Sequence, residues 1–127
     1  MITTKRWNDP KQPSDGLRVL VTRYRPRGLP KAKETWDIWM RELAPSVELH
    51  SAFYGKNGAK ISWSSYRVSF LREMEASKQA IRKLVERIVR GEHITLLCSS
   101  ACVHEDHCHR SLLRELIAGE SQKHLAA

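Results

Sequence analysis

Two β-rich runs constrain the fold most, because of what separates them. Leu17-Arg18-Val19-Leu20-Val21-Thr22-Arg23-Tyr24 lies between Gly16 and Pro26. His93-Ile94-Thr95-Leu96-Leu97-Cys98 is apolar almost throughout. The first alternates in part, as a strand does. The second suits a strand buried on both faces, which is the situation inside a parallel sheet. Most of the chain between them carries helical spacing. Strands joined by long helical crossovers pair in parallel and build α/β layers. The expected fold is therefore α/β, a small mostly parallel sheet flanked by helices in a single domain. Ile2 to Trp7 reads as a further short edge strand, and Asn8 to Gly16 as a loop rich in turn residues.

The helical stripes follow in order. Trp36, Trp39, Met40 and Leu43 fall at i, i+3, i+4 and i+7, and Pro45 ends that expected helix. Ser46 can cap a short helix running to about Tyr54. Gly55 to Lys60 is a turn. Trp63, Tyr66, Phe70 and Met74 stripe a third helix. Ile81, Leu84, Val85, Ile88 and Val89 stripe a fourth, with Gly91 as its stop. Leu112, Leu113, Leu116 and Ile117 mark a last helix, expected to close near Gly119. The domain is then residues 1–118, with 119–127 as a frayed tail. The Trp and Met stripes read as core rather than as cofactor contacts.

At 127 residues the chain suits one domain with one core. Its three cysteines are an odd number, and Met1 to Pro10 is polar and charged, unlike a secretory leader. A reduced, cytoplasmic protein is expected. No apolar run approaches the roughly 20 residues that span a bilayer. The net charge is +8, and it is uneven: ten of the 22 Lys/Arg but only four of the 14 Asp/Glu fall in residues 1–41. A polyanionic partner such as nucleic acid fits that excess, and so does a merely solvated basic surface.

Two loops follow the two runs, and both carry chemistry. All three cysteines and four of the six histidines lie between residues 93 and 110. If Asp106 caps the last helix, Cys108 and His109 fall in its first turn, where free N–H groups favour an anion. Arg110 adds a guanidinium fork suited to phosphate or carboxylate. The same surroundings would lower the Cys108 pKa and make it the most reactive thiol, with His109 beside it as acid or base. The plainer alternative packs Cys108 under the helix and leaves His109 and Arg110 in solvent. A metal is a further reading, through Cys98, Cys102, His104, His107 and Cys108. Without a C-x2-C pair the spacing fits no standard closed zinc site, so no metal and no cofactor is expected. A redox pair of Cys98 with Cys102 or Cys108 is the remaining reading.

In Arg23-Tyr24-Arg25-Pro26-Arg27-Gly28, Pro26 and Gly28 shape the backbone around Arg27. That suits an arginine aimed at a phosphate, with Tyr24 able to stack on a base. The bland alternative is a basic turn with Tyr24 in the core. Walker A and G-x-G-x-x-G loops are absent, as is the phosphatase spacing of a cysteine, five residues and an arginine.

The blocks Ser14 to Gly28, Glu42-Leu43-Ala44-Pro45-Ser46 with Glu48-Leu49, Thr95-Leu96-Leu97-Cys98 and Cys108-His109-Arg110 resemble the YeaO-like family, bacterial domain of unknown function 488. The likeness covers about residues 2–118. It implies a compact cytoplasmic α/β domain and marks both loops as signature regions, with Arg23, Pro26, Arg27, Gly28, Cys98, Cys108, His109 and Arg110 carried over individually. The chain departs from the family in having Thr22 where Asp is frequent and Arg25 where Trp is frequent. Cys102 lies outside the family pattern.

The reading is a small bacterial α/β protein with an anion pocket, for nucleotide or nucleic-acid processing. Cys108 and His109 are its candidate catalytic groups. Arg23, Arg27, Gly28, Cys98, Ser99 and Arg110 are its candidate ligand contacts, with Arg27 and Arg110 expected to share one anion. The alternative is a non-catalytic module that binds nucleic acid or protein. The residues do not decide between catalysis and binding and leave the oligomeric state open; no membrane partner is expected.

Overall fold

The computed structural model describes residues 1–56, 58–102 and 104–126. Four strands form one sheet: β1 (Ile2–Arg6), β2 (Leu17–Leu20), β3 (Ile38–Trp39) and β4 (Ile94–Cys98). Their order is β1-β4-β2-β3, and every pairing is parallel. β4 lies in the middle, beside β1 and β2, and all five of its residues are buried. The α/β class and the parallel sheet read from the sequence are thus the observed architecture.

Four helices complete the fold: α1 (Val47–Tyr54), α2 (Trp63–Glu73), α3 (Lys78–Val89) and α4 (His109–Ala126). They pack over one face of the sheet. Val19, Val21, Ile94 and Leu96 share a single core there with Leu49, Phe70, Leu84, Leu113 and Ile117. The α1 boundaries follow from local chemistry. The Ser46 side chain accepts the Leu49 N–H, and Gly55 closes the helix at φ 70°.

The opposite face is covered by irregular chain, and a buried arginine holds it. Arg18 is wholly inaccessible. Its guanidinium is paired with Asp15, and its Nε–H donates to the Thr35 carbonyl at 2.7 Å. Asp15 also takes Lys5 at 2.6 Å and the Gln12 N–H at 3.0 Å. Its main-chain carbonyl accepts the Thr95 hydroxyl at 2.8 Å. Burial alone would raise the Asp15 pKa. The Lys5, Gln12 and Arg18 contacts outweigh it and hold the carboxyl at about 2, below its ordinary 3.8.

Three expectations need correction. The stripe Trp36, Trp39, Met40, Leu43 is not a helix. It forms the short edge strand β3 and a 3-10 turn at Arg41–Leu43. The unpaired edge of β2 captures it: Asp37 N–H donates to the Arg18 carbonyl at 2.8 Å and Met40 N–H to the Leu20 carbonyl at 2.9 Å. So short a segment gains little from helix formation alone, and a ready sheet edge wins. β2 itself stops at Leu20 rather than Tyr24, although Val21 N–H still reaches the Leu97 carbonyl at 3.0 Å. The last helix does not close at Gly119. It runs on through 126, and Ser121 is buried with its hydroxyl on the Ile117 carbonyl. Ala127 of the expected tail and Asn57 of the expected 55–60 turn lie outside the described residues.

Two stability predictions follow from the covered face. Asp15→Asn leaves the Arg18 cation buried without its partner, and should cost about 3–5 kcal/mol in urea unfolding. Because the folded-state pKa is depressed, the Asp15 contribution is complete above about pH 4 and lost as pH falls towards 2. Acid titration of wild-type stability should show that loss, and Asp15→Asn should remove it. At Gly16, φ is 63° and an added Cβ would lie 2.2 Å from the His93 carbonyl oxygen, on the rigid β4 side. Gly16→Ala should cost about 3 kcal/mol or more, read as a shifted urea midpoint. A variant within 1 kcal/mol of wild type would contradict the close approach.

Candidate functional site

The parallel pairing of β2 with β4 sets their carboxyl ends side by side, with β1 on the other flank of β4. Ligands of open parallel sheets sit beyond such ends. A cleft of about 640 Å³ opens there. Thr22 to Arg27 form one wall and Cys98 to Cys102 another. His50, Phe53 and Tyr54 of α1 and Tyr66 of α2 close the side, and Cys108 and His109 lie at the start of α4.

The cleft's cations are Arg23, Arg25, Arg27 and Lys56, and no carboxylate lines it among the described residues. Arg25 is occupied: it pairs with Glu34 at 2.8 Å and lies over the Trp36 ring. Arg23 is braced through its Nε–H on the Pro45 carbonyl at 2.7 Å. Arg27 is exposed, and no carboxylate pairs with Arg23, Arg27 or Lys56 among the described residues. Gly28 is not a wall of the cleft. At φ 70° it turns the chain just after Arg27.

Aromatic rings run from rim to floor. Tyr24, 60% exposed, meets His50 edge-on at 6.4 Å. His50 lies 4.7 Å from Tyr54, Phe53 lies 4.4 Å from Tyr66, and Phe70 lies 5.6 Å from His109. Tyr24 is therefore a mouth residue and not part of the core. The α1 aromatics had not been singled out from sequence. Their signal is the i, i+3, i+4 placement of His50, Phe53 and Tyr54 on a capped helix directly after Pro45.

The floor is made of sulfur. Cys98 Sγ is 3.1 Å from Cys102 Sγ and 3.2 Å from Cys108 Sγ. All three sulfurs lie within 4.8 Å of one another. Cys98 and Cys108 are buried, whereas Cys102 is half-buried at the cleft wall and 4.0 Å from the Tyr54 hydroxyl. The buried His109 sits against them. Its Nε2–H donates to the Val21 carbonyl at 2.7 Å, and burial lowers its pKa and keeps it neutral. A carbonyl only accepts, so the proton is on Nε2 and the Nδ1 lone pair is free. That Nδ1 stands 3.9 Å from Cys108 Sγ and 4.0 Å from Cys98 Sγ.

This arrangement favours an order of the thiols different from the expected one. Cys102, rather than Cys108, is the thiol whose ionised form is favoured: the neighbouring Cys108 and Cys98 sulfurs lower its pKa far below the ordinary range, in a chain where Cys108 donates to Cys98 and Cys98 to Cys102. The neighbouring Cys102 sulfur, together with burial, pushes the Cys108 thiol up to about 12. Cys98 is raised for the same reason, with its two sulfur neighbours and burial acting together. Asp106 caps nothing here. It lies in a 3-10 turn at Glu105–His107, and Cys108 stands just before α4 rather than inside its first turn.

Arg110, like Gly28, is a candidate contact that does not line the cleft. It is 5% exposed, its Nη2–H donates to the Cys102 carbonyl at 3.1 Å, and its Nε has no partner among the described residues. It pins the loop that carries Cys102. Arg27 and Arg110 therefore do not meet over one anion. Ser99 lines the cleft, with its Oγ accepting the Ala101 N–H in the turn that returns Cys102 to Cys98.

The profile described as "Active DUF488-N3 subclade" matches residues 2–121. The chain belongs to this DUF488, YeaO-like family. It is 35% identical to the Escherichia coli (strain K12) protein named "Uncharacterized protein YeaO" over 106 residues, 84% of this chain and 89% of that one. It is 31% identical to "Uncharacterized protein Rv3073c" of Mycobacterium tuberculosis and to "Uncharacterized protein Mb3100c" of Mycobacterium bovis, over 84% of this chain and 85% of each. No solved structure matches it significantly. No helix among the described residues is long and apolar enough to cross a membrane.

In reduced, metal-free protein, brief treatment with iodoacetamide at neutral pH should label Cys102 first. Cys98 and Cys108 should label only on unfolding. Peptide mapping reads the order, and first labelling of Cys108 would restore the opposite ranking.

Proposed function

We propose that the cleft binds a phosphate-bearing ligand with a planar base: a free nucleotide or the end of a nucleic-acid strand. The observation that carries this is the composition of its walls. Arginine and lysine without paired carboxylates sit on the rim, and exposed or half-exposed rings stand beside them. Arg27 suits phosphate and Tyr24 suits stacking on a base. The position beyond the carboxyl ends of parallel strands supports the same reading.

Processing of that ligand would fall to the floor beneath it. Cys102 offers a thiolate at the wall, and His109 and Cys108 tune it from behind. The family profile's own description, "Active", supports catalysis over simple binding.

Titration of a fluorescent mononucleotide and of a short single-stranded oligonucleotide, each at low and high salt, tests the reading and separates the two sources. Arg27→Ala should weaken the bound species roughly tenfold, about 1.4 kcal/mol. If that species is the oligonucleotide, the variant should also lower the salt slope by about one. Binding of neither species, or binding indifferent to Arg27 and to salt, overturns it. Binding without turnover leaves the cleft as a recognition module.

A further inference from the structure

We propose that Cys98, Cys102 and Cys108, with His109 Nδ1 as fourth donor, form a site for a soft divalent metal ion, zinc by its chemistry. The residues come from three places in the fold. Cys98 ends the central strand, Cys102 returns to it through a turn in which its N–H donates to the Ser99 carbonyl at 3.1 Å, and Cys108 and His109 open α4. Spacing along the chain argued against a closed site because it offers no C-x2-C pair. Spacing in space does not, since the strand end and the helix start converge.

The geometry is close to what the ion requires. A Zn–S bond of about 2.3 Å and a Zn–N bond of about 2.0 Å in a tetrahedron set S···S edges near 3.8 Å and S···N edges near 3.5 Å. The measured sulfur pairs at 3.1 and 3.2 Å and the His109 distances at 3.9 and 4.0 Å lie on either side of those edges. The sulfur pairs open by about 0.6–0.7 Å to reach the tetrahedral edge, and the His109 distances to Cys98 and Cys108 close by about half an ångström. His109 lies outside the 4.8 Å group of the three sulfurs, so the larger movement is the approach of Cys102 to His109 Nδ1.

The surroundings match those of a metal site. His109 is fixed by its Nε2–H on the Val21 carbonyl, the outer-sphere bond that sets a ligating histidine's tautomer and leaves Nδ1 to bind. The Arg110 guanidinium holds the Cys102 carbonyl. Charge favours the ion as well. Three adjacent, largely buried thiols cannot all ionise unaided. With a divalent cation they can, each releasing a proton, and the site is left with one net negative charge. Thiolate donors select zinc over magnesium or calcium. Cys102 places the ion at the wall of the cleft rather than sealed in the core.

The test is independent of any nucleotide. Reduced, metal-free protein is titrated anaerobically with cobalt(II). We expect one equivalent to bind, with the visible bands of tetrahedral cobalt and near-ultraviolet thiolate charge transfer, and zinc to displace it. Cys98→Ser and Cys108→Ser remove buried groups and can disturb the fold, so Cys102→Ser at the half-exposed position is the deciding variant. It should weaken cobalt roughly a hundredfold or more, beyond the effect of losing an outer-sphere partner. His109→Ala, with circular dichroism unchanged, should shift the visible bands as nitrogen leaves the coordination sphere. Reduced protein that takes up no cobalt, or Cys102→Ser protein that binds it as tightly as wild type, overturns the site.

Discussion

Everything at the functional end depends on the parallel alignment of β2 against β4. The register sets Leu17 opposite Ile94 and Leu20 opposite Leu97. The last residues of strands far apart in sequence therefore finish side by side. Neither loop could form a cleft alone. A basic turn such as Arg23 to Gly28 would be solvated on both sides, and a cysteine loop would be one more surface connection. Abutting strand ends turn them into facing walls. That is also why the fit of Gly16 under the His93 carbonyl matters at a distance: it sets where β2 starts, and so where Thr22 and Arg23 emerge.

The motif Cys108-His109-Arg110 acts inward, not outward. Read along the chain, it looks like three groups offered to a ligand from the first turn of a helix. In the fold all three are buried, and each builds part of the sulfur cluster. Cys108 supplies a sulfur, His109 supplies a lone pair held by the Val21 carbonyl, and Arg110 holds the main chain at Cys102. Of the three sulfurs, which all line the cleft, Cys102 is the one that is only half-buried. Which thiol is reactive depends on which sulfur receives hydrogen bonds and which gives them. Distance to a helix dipole is a weaker influence over a few ångströms of sulfur contact.

The legible parts of the sequence were those decided locally. A short, nearly apolar β-rich run such as Ile94 to Cys98 suits a strand buried on both faces, so β4 and the parallel sheet could be read from it. Ser46 and Gly55 bound α1 through contacts within a few residues. What could not be read was decided by competition with distant chain. The Trp36–Leu43 stripe has a good helical period, but an open strand edge offered it hydrogen bonds that periodicity does not register. The path of α4 beyond Gly119 rests on tertiary burial of residues such as Ser121, which carries no apolar signal. Arg110 could not be placed because an arginine's sequence neighbours do not say whether its fork meets solvent, ligand or a carbonyl. The cluster was visible only as crowding. Convergence of its members needs the strand and the helix start to meet, and that is a property of the whole fold.

The two ends of the sheet treat charge in opposite ways. At the amino end of β2 the buried Arg18 is matched by Asp15, and Asp15 is matched again by Lys5 and by main-chain donors. Every large electrostatic cost there is offset within the protein, so that end gains rigidity and offers a ligand nothing. At the carboxyl end Arg23 and Arg27 line a cleft with no facing carboxylate among the described residues, over three sulfurs that share too little space to ionise together. Charge left uncompensated by a fold is stabilised by whatever binds from outside. On the two proposals above, the cationic rim takes an anion and the sulfur floor a cation, and the two lie within one cleft. An anionic ligand held by the rim would stand where it can meet a metal ion held by the floor. That proximity, more than either half alone, distinguishes this end of the sheet from the closed one.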